Sequence, residues 1–279
     1  MIATYLVLLI PFIGIIFFAV SGHREEIGKY NVWLNGICLL ATIWLAINVL
    51  NQGTILSAGK AFLIDPFNVY LIVLTAFVGL TTSIFSSPYM AHEKDLGKLT
   101  DKRLKLYYSM YQGFMLAMYL VLTTNNMGVM WVAMEGATLA TVMLVSLYRT
   151  PESIEAAWKY FILCGVGIAQ ALFGTILLYY AAVQIGDGEN ALLWSVLYEN
   201  AEQLNPEILE IAFVFLLIGY GTKIGLVPLH NWLPDAHSEG PTPMSAVLSG
   251  LLLNDALYAV VRNKMLVDGA SDSNVAGYL

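Results

Sequence analysis

The chain has 279 residues, 58% of them hydrophobic and only 12% charged, with a mean hydropathy of +0.69. A soluble domain carries about 25% charged residues, so this composition excludes one and leaves no room for a water-exposed domain beside the apolar segments. The net charge of −7 gives no basic footprint for nucleic acid, and the two cysteines, Cys38 and Cys164, sit in apolar segments without ligand spacing, suggesting neither a disulfide nor a metal site.

Apolar stretches able to cross about 30 Å of hydrocarbon recur along the whole length. Taken in order, they predict an all-α integral membrane protein with about eight transmembrane helices, over 2–20, 33–50, 66–84, 106–123, 126–147, 156–183, 208–227 and 243–261. The first lacks a basic leader and a small-residue cleavage pattern, and reads as a retained helix. Four helix starts share a capping side chain followed by proline: Asp65-Pro66, Thr150-Pro151, Asn205-Pro206 and Thr242-Pro243. Segment 191–205, with Trp194 and Tyr198 among apolar and acidic residues, reads as a short interfacial helix.

Loops after the first, third and fifth spans carry Arg24 and Lys29, then Lys94, Lys98, Lys102, Arg103 and Lys105, then Arg149 and Lys159. The opposite side offers Lys60, acidic loops, and Arg262 and Lys264 after the last span. The positive-inside rule therefore puts the amino terminus outside and the basic loops in the cytoplasm, in the cell membrane or an equivalent energy-coupling membrane.

Two ionisable residues interrupt apolar spans. Glu135 lies about ten residues into the fifth and Lys223 about twelve residues into the seventh, both near the bilayer centre at about 1.5 Å per residue. A charge at that depth costs roughly 2.5 to 3.5 kcal/mol even on lenient scales, so such residues usually face a bundle interior or an ion path. The small residues Gly136, Ala137, Thr138 and Ala140 after Glu135 suit an inward-packed face. Burial favours the neutral amine and a nearby carboxylate favours the ammonium, so moving Glu135 relative to Lys223 would switch the lysine between holding and releasing a proton. A permanently locked pair, or a satisfied structural acid, is the alternative.

Gly219, Gly221 and Gly225 surround Lys223, and Pro228 follows. Proline removes an N–H and clashes with the carbonyl four residues back, so a helix break is expected at Gly225 and Pro228. Non-helical backbone at membrane depth is tolerated where it is buried or lines a wet cavity, although a kink that only shapes packing is also open. The connector 230–239 holds His230, Asp235, His237 and Glu239, a candidate proton entry or a solvated turn; its histidines are spaced poorly for zinc. In the last span Asn254 and Asp255 fall near the centre, making Asp255 a third buried ionisable group.

The run Gly221-Thr222-Lys223-Ile224-Gly225-Leu226-Val227-Pro228-Leu229-His230-Asn231-Trp232-Leu233-Pro234-Asp235-Ala236-His237, continuing through Gly240-Pro241-Thr242-Pro243-Met244-Ser245-Ala246 to Ala256-Leu257-Tyr258, resembles the signature of the antiporter-like proton-translocating membrane subunits. These are the large membrane subunits of respiratory complex I, group 4 hydrogenases and Mrp-type antiporters, and the wording is nearest the hydrogenase-4 component F type.

The resemblance implies a broken seventh helix and a proton-moving pair of Glu135 and Lys223. Asp255 would be auxiliary, and His230 and His237 would give access. The family's second lysine falls at Asn254, which carries no proton, while Asp255 points about 100° away around the helix. The family has about fourteen helices in two inverted repeats, whereas this sequence holds the equivalent of the first eight, as expected of a truncated or split subunit or of one whose partner repeat comes from another chain. That gives helices one to three over 1–105, the first repeat over 106–262 and a tail over 263–279.

The implied role is a non-catalytic subunit of an oxidoreductase complex, hydrogenase or NADH dehydrogenase-like, with no cofactor of its own. Its implied partners are other membrane subunits, among them a chain supplying the second repeat, and peripheral hydrogenase or dehydrogenase subunits, together with protons, lipid and, in the Mrp-type alternative, Na⁺. A structural subunit that has lost transport is the third reading.

Overall fold

Capping chemistry sets where the long helices begin. In this computed structural model, which describes residues 2–20, 26–186, 188 and 190–270, the Asp65 carboxylate accepts from the Phe67 and Asn68 amides while the Asn68 side chain accepts from the Asp65 amide. Thr150 caps the Ser153 amide and Asn205 those of Glu207 and Ile208. Each cap satisfies amides that the first turn leaves orphaned, with proline placed where no N–H is needed. The fourth expected cap differs. Helix already includes Thr242, whose hydroxyl bonds Tyr89 at 3.4 Å, and the uncapped start follows Pro241.

The helices in order are α1 (Ile2–Val20), α2 (Ile27–Gln52), α3 (Pro66–Asp95), α4 (Asp101–Thr123), α5 (Met127–Val145), α6 (Pro151–Gln184), α7 (Trp194–Glu199), α8 (Pro206–Ile224), α9 (Leu233–Glu239), α10 (Thr242–Val247) and α11 (Leu253–Ala270). A five-residue π-helical turn, Leu248–Leu252, joins α10 to α11. Between α2 and α3 a small antiparallel hairpin pairs β1 (Ile55–Ser57) with β2 (Phe62–Ile64); an isolated bridge from Phe62 to Thr124 ties it to the α4–α5 connection, which a second bridge, from Asn126 to Leu193, joins to the segment before α7. Arg24 and the tail beyond residue 270 lie outside the described residues.

Among the described residues six segments are long and apolar enough to cross a membrane: Ile2–Val20, Ile27–Gln52, Pro66–Asp95, Met127–Tyr148, Pro151–Gln184 and Thr242–Ala270. The other two of the expected eight are α4 and α8. Both have spanning length, 23 and 19 residues, but α4 opens on Asp101, Lys102, Arg103 and Lys105, and α8 carries Glu207, Glu210 and Lys223. Neighbouring helices cover much of their surface: Tyr107, Tyr111, Phe114 and Met118 of α4 and Leu209, Ala212 and Tyr220 of α8 are wholly buried. A helix walled by protein can be more polar than one walled by lipid.

Packing of α8 along α6 fixes the rotation of the helix that carries Lys223. A Cβ on Gly219 would lie 2.6 Å from the Gly167 carbonyl oxygen, and one on Gly174 would lie 2.8 Å from that of Ala212. Glycine at both contacts lets the two backbones approach closely. Within segment 191–205 the short helix is α7, in which Trp194 is buried and its indole N–H donates to the Arg262 carbonyl at 2.9 Å.

Candidate functional site

Helix α8 ends at Ile224, three residues before the span expected from hydropathy. Gly225 adopts the left-handed conformation at φ 80°, and the amides of Gly225 and Leu226 both return to the Gly221 carbonyl, at 3.0 and 2.9 Å. That closure needs a residue free of Cβ strain. Non-helical chain then runs from Gly225, through a cis Val227–Pro228 bond, to the start of α9. The buried Trp232 folds back beneath the helix end. Its indole N–H donates to the Thr222 carbonyl at 2.8 Å, and its ring stacks on Tyr160 at 4.6 Å.

Lys223 sits in the last turn of α8 with its side chain wholly buried. Its Nζ donates to the Met134 carbonyl at 3.3 Å and to the Thr138 hydroxyl, and lies 5.9 Å from the centre of the Tyr160 ring. Among the described residues no carboxylate comes within 4.0 Å of it. Carbonyls at a helix C-terminus favour a cation there, and the aromatic face adds a weak attraction. The charge is thus supported by dipoles rather than neutralised by a counter-ion.

Glu135 is half-buried on α5, one turn from Thr138, whose Oγ1 lies 3.4 Å from Glu135 Oε2 and 3.1 Å from the Met134 carbonyl. Glu135 and Lys223 form no direct ion pair; Thr138 stands between them. A hydroxyl has one proton and two lone pairs. Thr138 can therefore accept from Lys223 while donating either to Met134 or to Glu135. The sequence shows this only as the i, i+3 spacing from Glu135 to Thr138, which puts the two on one helical face.

Asp255 is buried on α11, and among the described residues its Oδ2 has no hydrogen-bond partner and no hydrogen bond joins it to Lys223. Asn254 beside it is exposed and donates to the Gly250 carbonyl at 2.7 Å. His230 is half-buried, with Nδ1 unpartnered. His237, half-buried in α9, is held below its ordinary value of 6.5 by burial, which penalises the charged ring. The acid between them, Asp235, faces outward to Lys159 at 3.0 Å. Among the described residues no hydrogen bond joins either histidine to Lys223, so the connector lies beside the site without being wired to it.

A second buried cation had no warning in the sequence. Arg262, expected in the loop after the last span, lies inside α11 and is 2% exposed. It bonds Asp65 at 2.5 Å and the Tyr258 hydroxyl at 2.9 Å, and stacks 4.4 Å from the Trp194 ring. The capping residue of α3 is thereby clamped to α11.

The helices, the interrupted α8 and the buried lysine at its end define a multi-pass membrane protein of antiporter-like fold. The chain belongs to the family described as "NADH:quinone oxidoreductase/Mrp antiporter, TM", whose model matches residues 124–279; the model "NADH-Ubiquinone oxidoreductase (complex I), chain 5 N-terminus" matches 51–98. The hydrogenase-4 component F homolog of Methylacidiphilum infernorum (isolate V4) is 49% identical over 276 residues, covering 98% of this chain and 56% of that protein. The NADH-quinone oxidoreductase subunit N 2 of Aquifex aeolicus (strain VF5) is 30% identical over 67% of this chain and 36% of its own length. The chain spans about half the length of the curated relatives it matches.

Among solved structures, a chain of the membrane-bound sulfane sulfur reductase, an archaeal respiratory membrane complex, superposes with a TM-score of 0.82 at 22% identity, over 99% of this chain and 55% of its own. A chain of respiratory complex I from Thermus thermophilus with bound aureothin superposes with a TM-score of 0.68 at 21% identity, over 93% of this chain and 52% of its own. At these identities the two likenesses establish the fold.

Proposed function

We propose that this chain translocates protons as an antiporter-like subunit of a redox-driven membrane complex of hydrogenase or NADH:quinone oxidoreductase type, with Lys223 as the proton carrier and Glu135 as its modulating acid. The observation that carries this reading is the wholly buried Lys223, which among the described residues has no carboxylate within 4.0 Å and is linked to Glu135 through the Thr138 hydroxyl. A lysine locked to an acid would hold its proton permanently. One supported by a carbonyl and a hydroxyl can release it when the field around it changes.

Movement of Glu135 against Thr138 supplies that change of field. Drawn toward the hydroxyl, the carboxylate stabilises the ammonium; drawn away, it lets burial favour the neutral amine. Asp255 is the auxiliary group on the second half of the path, in place of a lysine at Asn254, and the His230 to His237 connector is the access from the cytoplasmic side. Helices α1 to α3 precede the first repeat, which begins at α4 and, because α11 runs unbroken to Ala270, extends past the boundary expected at residue 262.

Electron transfer belongs to partner subunits, and membrane partners include one supplying a second repeat. The amino terminus faces outward from the cell membrane. The driving reaction must provide more than about 2.3 kcal/mol per proton for each 100 mV opposed. Lys223→Ala in the assembled complex tests the assignment through protons moved per electron. A fall to background is expected, and an undiminished ratio would overturn it.

A further inference from the structure

Two cavities meet at one residue on the face that carries the basic loops. The first, about 390 Å³, is an apolar groove between α5 and α6 lined by Leu139, Val142, Met143, Ile154, Trp158 and Phe161, with Arg149 at its end. Its rim residues Leu139, Ile154 and Trp158 are exposed outward. The second, about 610 Å³, is lined by Lys102, Arg103, Lys105 and the same Arg149, with Leu106 and Met110 as apolar walls.

From this juxtaposition we propose that the chain carries a site for one anionic phospholipid, its phosphate held by Arg103, Lys105 and Arg149 and one acyl chain lying in the α5–α6 groove.

Four cations converge on the second cavity, and among the described residues none has a carboxylate within 4.0 Å. Asp101, the acid nearest in sequence, pairs with Lys94 at 2.6 Å. Like charges gathered in one pocket favour an anion, and arginine suits a phosphate diester because its planar fork donates two bonds at once. The basic groups are also held in place. Arg103 Nη1 donates to the Tyr148 carbonyl at 3.4 Å, which fixes it beside Arg149.

Arg149 itself adopts the left-handed conformation at φ 59°, which is uncommon for any residue but glycine. Glycine would meet that backbone need at lower cost. The arginine adds a side chain where both cavities open. An apolar groove on the outward face of a membrane bundle suits hydrocarbon, and a basic pocket at its cytoplasmic end suits an anionic headgroup. Zwitterionic lipid would bring its own ammonium against four cations, so selectivity for net negative charge follows.

The test is native mass spectrometry of the assembled complex in neutral detergent, titrated with phosphatidylglycerol, phosphatidylcholine or inorganic phosphate. One phosphatidylglycerol per chain is expected, with phosphatidylcholine lost. Each charge near the surface contributes about fivefold, so Arg103→Gln, Lys105→Gln and Arg149→Gln together should weaken retention about a hundredfold. Leu139→Trp, which fills the groove and leaves every charge, should abolish it. The mass of the complex in the same spectrum reports assembly, and if the triple variant fails to assemble, Leu139→Trp decides alone. Parental retention by either assembled variant, equal retention of phosphatidylcholine, displacement by inorganic phosphate, or a partner subunit cross-linked at Trp158 would each overturn the site.

Discussion

Lys223 and Arg262 are both buried cations in one helical bundle, and they are kept in opposite ways. Arg262 has a carboxylate at 2.5 Å, a phenol at 2.9 Å and an indole ring at 4.4 Å. Lys223 has a carbonyl, a hydroxyl and the edge of an aromatic field, and its acid stands one residue removed. Guanidinium cannot give up its proton in a protein, whereas a buried ammonium can. Full neutralisation makes the arginine a clamp between α3 and α11. Incomplete support leaves the lysine able to change state.

The largest expected effect separates the two on function: Lys223→Ala should abolish proton translocation and leave the thermal unfolding of the complex unchanged or slightly raised, because a buried charge without a counter-ion is removed. Stability should respond the other way at the clamp. Arg262→Met strands the Asp65 carboxylate and should cost about 3 to 5 kcal/mol, measured as a fall in the midpoint of detergent unfolding. Adding Asp65→Asn should recover most of it, and failure to recover would mean that the stack on Trp194, rather than the ion pair, holds the helices together.

Thr138→Val sharpens the comparison at intermediate size. It keeps the shape and removes a hydroxyl that touches both Glu135 and Lys223. A hydrogen bond to a charged group contributes about 1.5 to 3 kcal/mol, so turnover-linked proton transfer should slow about tenfold or more, with Thr138→Ser restoring it. Transfer at the parental rate in the valine variant would show that the hydroxyl only fills space.

The smallest effect concerns His237. Burial holds its ring below the ordinary value of 6.5, so the unfolded chain binds more protons than the folded one as pH falls toward and below that value. Stability attributable to this residue is therefore present above about pH 6.5 and lost on acidification. His237→Gln should flatten the pH dependence of unfolding between pH 7 and the mid-acid range, about pH 5; an unchanged slope would remove His237 from the connector's titrating groups.

Much of this was legible in the sequence, for reasons that differ by residue. Asp65, Thr150 and Asn205 announce helix starts because capping is local chemistry, complete within four residues. Gly225 before Pro228 announces the end of α8 for the same reason. Thr242 misled because its hydroxyl found Tyr89 on another helix, a partner that no local pattern contains. Hydropathy expects a lipid-facing wall, so α4 and α8, walled by protein, fall short of it while keeping spanning length. Arg262 looked like a loop residue because apolar content ends near it, and only the fold brings Asp65, almost two hundred positions away, to its side. Thr138 was visible as a small residue, but its role between two charges needs the third dimension.

The π-helical turn at Leu248–Leu252 sets the phase of everything after it. A turn of that kind is equivalent to one residue inserted into an α-helix, and each residue advances the helix by about 100°. Asp255 is buried while Asn254 faces outward, and seven positions on Arg262 meets Asp65, because α11 enters with that offset. The aim of two buried ionisable side chains at different depths thus depends on a count, a single extra residue upstream, as well as on the contacts that α11 makes.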